Sequence, residues 1–235
     1  MFKSMIAATM LAGVAVPAAA TTTYDAFSSF DGTQGAGGFT YGSFDGTNFT
    51  AFTGDTGCSN KISGVVCLGD LPGAFASTTG AHQSGSVIVP GDALILHPGQ
   101  FAGQDSAVLF TAPTAGVYTF DFSAFVADNN PSGVNILLFV PGTSVPLTTL
   151  DAANPTYSTS GYTITAVPAG FQLGFAVDYD GVYYNDSTGI KFTVTGPDAD
   201  ASGAVPEPAS WAMMVGGFGL VGGAMRRRSR TLATA

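Results

Sequence analysis

Glutamate is nearly missing from this 235-residue chain: Glu207 stands alone beside fifteen aspartates. Basic residues are almost as scarce. Five of the seven lie near the ends, as Lys3, Arg226, Arg227, Arg228 and Arg230. Residues 21–204 therefore hold only Lys61 and Lys191 against all fifteen Asp, a net charge of −13. A body so charged is repelled by a polyanionic duplex, which excludes nucleic acid as a partner, and by anionic membrane surfaces. Glu, Lys and Arg are also the residues that usually clothe exposed helix faces. Gly, Thr, Ser, Phe, Val and Tyr stand in their place, and these favour strands and turns.

Catalytic vocabulary is equally thin. There is no G-x-S-x-G, no H-E-x-x-H and no Walker loop. His82 and His97 are the only imidazoles; His82 reads as part of a polar loop and His97 as a strand end before Pro98. A Ser-His-Asp triad could still assemble in space, because its order is not fixed by sequence, but an ordinary turn histidine is the simpler reading. A pair of aspartates could serve glycoside hydrolysis, yet no motif marks two of them, and a solvated acidic surface accounts for them better.

Two cysteines, Cys58 and Cys67, frame the stretch "CSNKISGVVC". An even count in an exported chain reads as a disulfide closing a small loop. Export itself is read from the N-terminus, where Lys3 precedes an apolar run and then Ala18-Ala19-Ala20. The run is too short for an ordinary membrane span, so residues 1–20 read as a secretory signal peptide.

What remains is strand-like. In "GVYTFDFSAFVAD", Tyr118, Phe120, Phe122, Ala124 and Val126 alternate with polar positions, the period of a half-buried strand. Runs of five to ten residues bounded by Pro, Gly, Asn and Asp follow from "GSVIVPGDALILHPG", with its Pro90-Gly91 turn, to "IKFTVTG". Strands at such spacing predict an all-β fold, a single β-sandwich or jelly roll over residues 21–195. "SFDGT" occurs twice, at residues 29–33 and 43–47. Two copies with unlike surroundings make no solenoid; the second reads as an Asp-Gly hairpin within "YGSFDGTNFTAF". Residues 196–204, "GPDADASGA", read as a flexible linker.

The loop "DYDGVYYND" gathers hard oxygen donors. Asp178, Asp180, Asn185 and Asp186 are close in sequence, as Ca²⁺ prefers. It is not an EF-hand, since the twelfth position from Asp178 is Gly189 and not Glu. The competing reading is a set of Asx turns capping a hairpin. Tyr179, Tyr183 and Tyr184 beside these donors could stack on a sugar ring.

The C-terminal stretch combines Pro206-Glu207-Pro208, Trp211, a Gly-rich apolar run and Arg226-Arg227-Arg228. Its apolar part, residues 209–225, spans roughly 26 Å as a helix, short of the ~30 Å hydrocarbon core. The arginines place its C-terminal side, residues 231–235 included, in the cytoplasm and the body on the far side of the inner membrane. Motif order and spacing over residues 205–230 resemble the PEP-CTERM sorting signal, in the variant with Trp-Ala after the Pro-Glu-Pro. The resemblance implies recognition by an exosortase, with Pro206, Glu207 and Pro208 as recognition residues of a substrate and Trp211, Arg226, Arg227 and Arg228 completing the sorting motif. It further implies processing near the Pro-Glu-Pro, a cell-surface or extracellular destination and company with exopolysaccharide and biofilm matrix. Within the body, "LHPG", "LFTAPTAGVYTFDF" and "YYNDSTGI" resemble blocks of other PEP-CTERM proteins, whose sandwich is similar to carbohydrate-binding modules; Gly170-Phe171 stands where that pattern often has Gly-Asp. The expected function is thus a non-enzymatic exported structural or interaction protein, with glycan recognition second and a secreted hydrolase third.

Overall fold

The alternation read in residues 116–126 sets the architecture. Tyr118, Phe120, Phe122 and Ala124 are buried, and the residues between them are more exposed. The computed structural model describes residues 20–199. In chain order the strands are β1 (Thr21–Asp25), β2 (Phe39–Phe44), β3 (Phe49–Ala51), β4 (Val65–Gly69) and β5 (Gly73–Ser77). Next come β6 (His82–Ser84), β7 (Val87–Val89), β8 (Leu94–His97), β9 (Asp105–Thr111) and β10 (Gly116–Val126). β11 (Val134–Val140), β12 (Thr143–Leu150), β13 (Thr156–Val167), β14 (Gln172–Asp178) and β15 (Thr188–Pro197) complete the set. Short 3₁₀ turns stand at Ala36–Gly38 and Cys58–Asn60.

Two antiparallel sheets form a β-sandwich. One runs β13-β10-β15-β8-β5-β4, with β1 also on β15; the other runs β12-β11-β14-β9-β2-β3. Between them lies an aromatic core in which Phe122 and Phe175 stack at 3.6 Å and Phe175 meets Phe192 edge-on at 4.9 Å. Ring pairs of these geometries add to the area they bury. Each sheet also has an apolar outer face. Phe75, Ile95 and Phe125 point away from the core of the first sheet, under the β6–β7 ribbon and the cysteine loop. Phe44, Leu109 and Phe139 do the same on the second sheet. There a glycine is obligatory: a Cβ at Gly174 would sit 2.5 Å from the Phe139 ring.

The hairpin expected around the second "SFDGT" is present. β2 pairs β3 from Gly42–Ala51 to Phe44–Phe49, and Asp45 Oδ1 accepts the Thr47 and Asn48 N–H groups at 2.9 and 2.6 Å. The first copy makes the same Asx turn, Thr33 N to Asp31 Oδ1 at 2.9 Å, but joins no two strands. The cysteines form the disulfide Cys58–Cys67, Cα atoms 6.0 Å apart. Two boundaries differ from expectation. His82 lies in strand β6 and not in an irregular loop, because Val89 pairs with it. The linker begins later than residue 196: Gly196 and Pro197 end β15, paired with Thr22 and Thr21. Their partner strand lies at the other end of the domain, and the Tyr24 hydroxyl donates to Pro197 O at 3.1 Å.

Candidate functional site

The acidic loop leaves β14 at Asp178 and turns sharply through Asp180 (φ 44°) and Gly181 (φ 89°), then again at Asn185 (φ 61°). Of the four donors expected to share an ion, Asp178 and Asp180 both face the Asn135 amide, which donates to them at 3.4 and 3.0 Å. Asn185 turns away, its Oδ1 accepting from Ser86 at 3.3 Å. Asp186 is buried and accepts from the Ser132 hydroxyl at 2.5 Å. The structure thus keeps the first two aspartates together and separates Asn185 from them. Among the described residues no three His, Cys, Asp or Glu side chains converge as a metal cluster.

Burial dominates the chemistry of two carboxyls here. It pushes Asp186 up to about 7, with nearby Asp128 adding to the rise and hydrogen bonds from Ser132 and Gly133 opposing it. Asp105, at the start of β9, also rises to about 7 through burial, with the Asp178 and Asp45 charges reinforcing it. Tyr183 and Tyr184 lie on each other, ring centres 4.1 Å apart, so they do not spread into a flat platform.

Both histidines are occupied by backbone. His82 places Nδ1 2.8 Å from Gly80 O and Nε2 2.8 Å from Ser63 O. Two carbonyl acceptors favour the imidazolium, and its pKa rises. His97 sets Nδ1 2.8 Å from Pro98 O, and burial holds its pKa down. Ser77 Oγ lies 3.4 Å from His82 Nδ1, the nitrogen already on Gly80 O. A base engaged in this way is poorly placed to take a proton from a nucleophile.

Two clefts open where the sheets part. Beside β3 and β4 a polar groove of about 410 Å³ is lined by Ser43, Thr50, Phe52, Thr53, Asp70 and Pro72, among others. Beside β12 and β13 an apolar cleft of about 220 Å³ is lined by Phe122, Leu138, Leu147, Tyr157, Tyr162 and Phe175, among others. The second escaped sequence reasoning because Tyr162 and Phe175 come from different sheets. The available signal was "TYSTSGYTIT", a run without charge whose tyrosines sit five apart.

The body is therefore a β-sandwich module with an acidic loop and two edge clefts. Its chain carries the PEP-CTERM protein-sorting motif, matched over residues 204–228. Residues 206–208, Trp211, residues 209–225, the arginine cluster and residues 1–19 lie outside the described residues. The motif makes this an exported protein, anchored in the membrane through its C-terminal region before exosortase processing. No curated relative matches the sequence. Among solved structures it is similar to the CBM51-2 and INT domains of Clostridium perfringens ZmpB, in complex with GlcNAc. That match has 15% identity and a TM-score of 0.32, over 44% of this chain and 22% of that one. It is similar also to a family 29 carbohydrate-binding module (17%, TM-score 0.26, 73% and 97% of the two chains). A third likeness is to the Podospora anserina GH26-CBM35 β-(1,4)-mannanase (12%, TM-score 0.30, 68% and 28%). The sandwich assignment rests on this chain's own strand pairing.

Proposed function

We propose that this protein is a non-enzymatic structural or interaction component of the cell surface, associated with exopolysaccharide. Residues 1–20 direct export, residues 209–225 hold the precursor in the inner membrane, and an exosortase acts near Pro206-Glu207-Pro208. The sorting motif carries this reading. Occupied histidines support a binding role over a catalytic one. Glu207→Ala should leave the sandwich intact while trapping full-length protein in the inner membrane. Intact-mass analysis of membrane and surface fractions tests this. Wild-type surface protein still carrying Arg226–Arg230 would sink the reading.

A second reading, glycan recognition without catalysis, is favoured by the cleft between β12 and β13. It is smaller than the ~300–1,000 Å³ of drug-sized pockets, and its size suits one ring. Tyr157 and Tyr162 offer ring faces with polar tips to a neutral sugar. Glycan-array binding by the purified protein, lost on Tyr162→Ala, would support it; an array without any hit would remove it.

A further inference from the structure

We propose that the polar groove beside β3 and β4 binds a neutral saccharide chain, at a place separate from the aromatic cleft. Its walls come from both sheets. Ser43 and Thr50 pair across β2 and β3, and the turn Asp70-Leu71-Pro72 follows β4. Thr53 and Thr56 join them from the segment after β3. Among the described residues, no protein group bonds the hydroxyls of Ser43, Thr50, Thr53 or Thr56. Threonines elsewhere pair off, Thr119 with Thr163 at 3.0 Å and Thr149 with Asn135 at 2.7 Å. Four hydroxyls are thus left open around one groove, and each can both donate and accept. Sugar hydroxyls have the same double capacity and are the natural complement.

Asp70 is a second, independent observation, and it sets the charge of the ligand. Lys61 holds its Oδ2 at 2.5 Å, and among the described residues none donates to Oδ1. That oxygen is fixed in place and open to a sugar hydroxyl. Lys61 and Lys191 are the only basic residues among those described besides the histidines, and both are paired, with Asp70 and Asp92. No unpaired lysine is left to attract a uronate, sulfate or phosphate, which the surplus of aspartate repels. Phe52 and Pro72 complete the site with an apolar wall, on which the C–H face of a sugar ring can lie.

The walls are held before any ligand arrives. Gly69 N–H donates to Gly54 O at 2.8 Å, Asp70 N–H to Pro72 O at 3.0 Å and Gln34 Nε2 to Phe52 O at 2.9 Å. A site ordered in advance spares the ligand the cost of ordering it. At about 410 Å³ the groove falls within the ~300–1,000 Å³ of ligand sites and is nearly twice the aromatic cleft. It has room for more than one ring. A peptide is the poorer occupant, because the three-residue β3 offers too short an edge for an added strand. The proposal extends the glycan reading without needing the cleft, since the two lie on different sides of the sandwich.

The probe is exopolysaccharide of the producing bacterium, split by anion exchange into neutral and acidic fractions. It is titrated against the full chain in a detergent without a sugar head group, in a Tyr162→Ala background that takes the aromatic cleft out of the measurement. The neutral fraction should bind, with little dependence on salt. Thr50→Val with Thr53→Val removes two exposed hydroxyls and keeps their shape; it should weaken binding about tenfold, some 1.4 kcal/mol. Asp70→Asn should weaken it in the same direction, and the threonine pair decides if that variant fails to fold. No binding in the Tyr162→Ala background, preference for the acidic fraction, or indifference to the groove variants would overturn the proposal. Binding that Tyr162→Ala alone abolishes would leave the cleft reading standing and remove only the groove.

Discussion

The two open sides of the sandwich are built in opposite ways. On one side β3 has three residues and β4 five, and the Cys58–Cys67 bond and the Lys61–Asp70 ion pair lie beside them. On the other, β12 has eight residues and β13 twelve, mostly exposed and without a charged side chain. Short, charged and covered edges resist pairing with other chains, whereas long bare ones invite contact. The difference teaches where this molecule meets its surroundings. The cysteine side is closed by covalent and ionic means, while the β12–β13 side keeps an aromatic cleft accessible.

The largest effect should come from the floor of that cleft. Phe122 stacks on Phe175 and is buried, so Phe122→Ala should cost about 3–5 kcal/mol, the range for a truncated core aromatic. Denaturant unfolding measures it. A cost below about 1 kcal/mol would show that the sheets close over the gap and that the cleft is soft.

Next in size is the clamp on the opposite side. Replacing both Cys58 and Cys67 by Ser should cost less than about 3 kcal/mol, because the closed loop is short. Faster hydrogen exchange should be confined to β4, β5 and the loop between the cysteines, leaving β12 and β13 unchanged. Exchange rising equally at both edges would contradict the contrast drawn here. Free thiols in protein purified without reductant from the exporting compartment would show that the bond is not used.

How far the sequence reached differs between the two sides as well. Alternation in β10, the Asp45-Gly46 turn and the cysteine pair are local, and all were legible. The end of β15 was not, because Pro197 is held by Thr21 from the other end of the domain. The cleft needs Tyr157 and Tyr162 from one sheet and Leu173 and Phe175 from the other. The contact between Ser132 and Asp186 was half legible. Asp186 could be named, but Ser132 lies fifty-four positions away.

A smaller effect follows from the two buried carboxyls, Asp105 and Asp186, both raised to about 7 in the folded state. An unfolded Asp titrates near ~3.9. Between those values the folded protein holds protons that the unfolded chain has released, so stability should fall as pH rises from about 4 to about 7, then level off. Asp31, Asp45 and Asp55 are lowered by hydrogen bonds to neighbouring residues and act in the opposite sense, below about 4. They are exposed and contribute weakly. Asp105→Asn, followed by thermal unfolding across pH 4–8, should flatten the decline. An undiminished slope would assign it elsewhere.

The smallest expected effect on stability is at Tyr162, where the two sides can be compared most directly. Its ring lines the cleft yet is 57% exposed, and it belongs to an edge strand that only β10 pairs. Truncating a side chain so placed removes little buried surface, so Tyr162→Ala should change stability by no more than about 0.5 kcal/mol. Phe52, on the cysteine side, is half-buried against the core and sits so close to Gly69 that a Cβ there would lie 3.1 Å from its ring. Phe52→Ala should therefore cost more. If Tyr162→Ala proves the costlier of the two, its ring is a structural cover over Phe122 and Phe175. The β12–β13 side would then be closed like its counterpart, and glycan recognition would have to be sought in the polar groove beside Thr50 and Asp70.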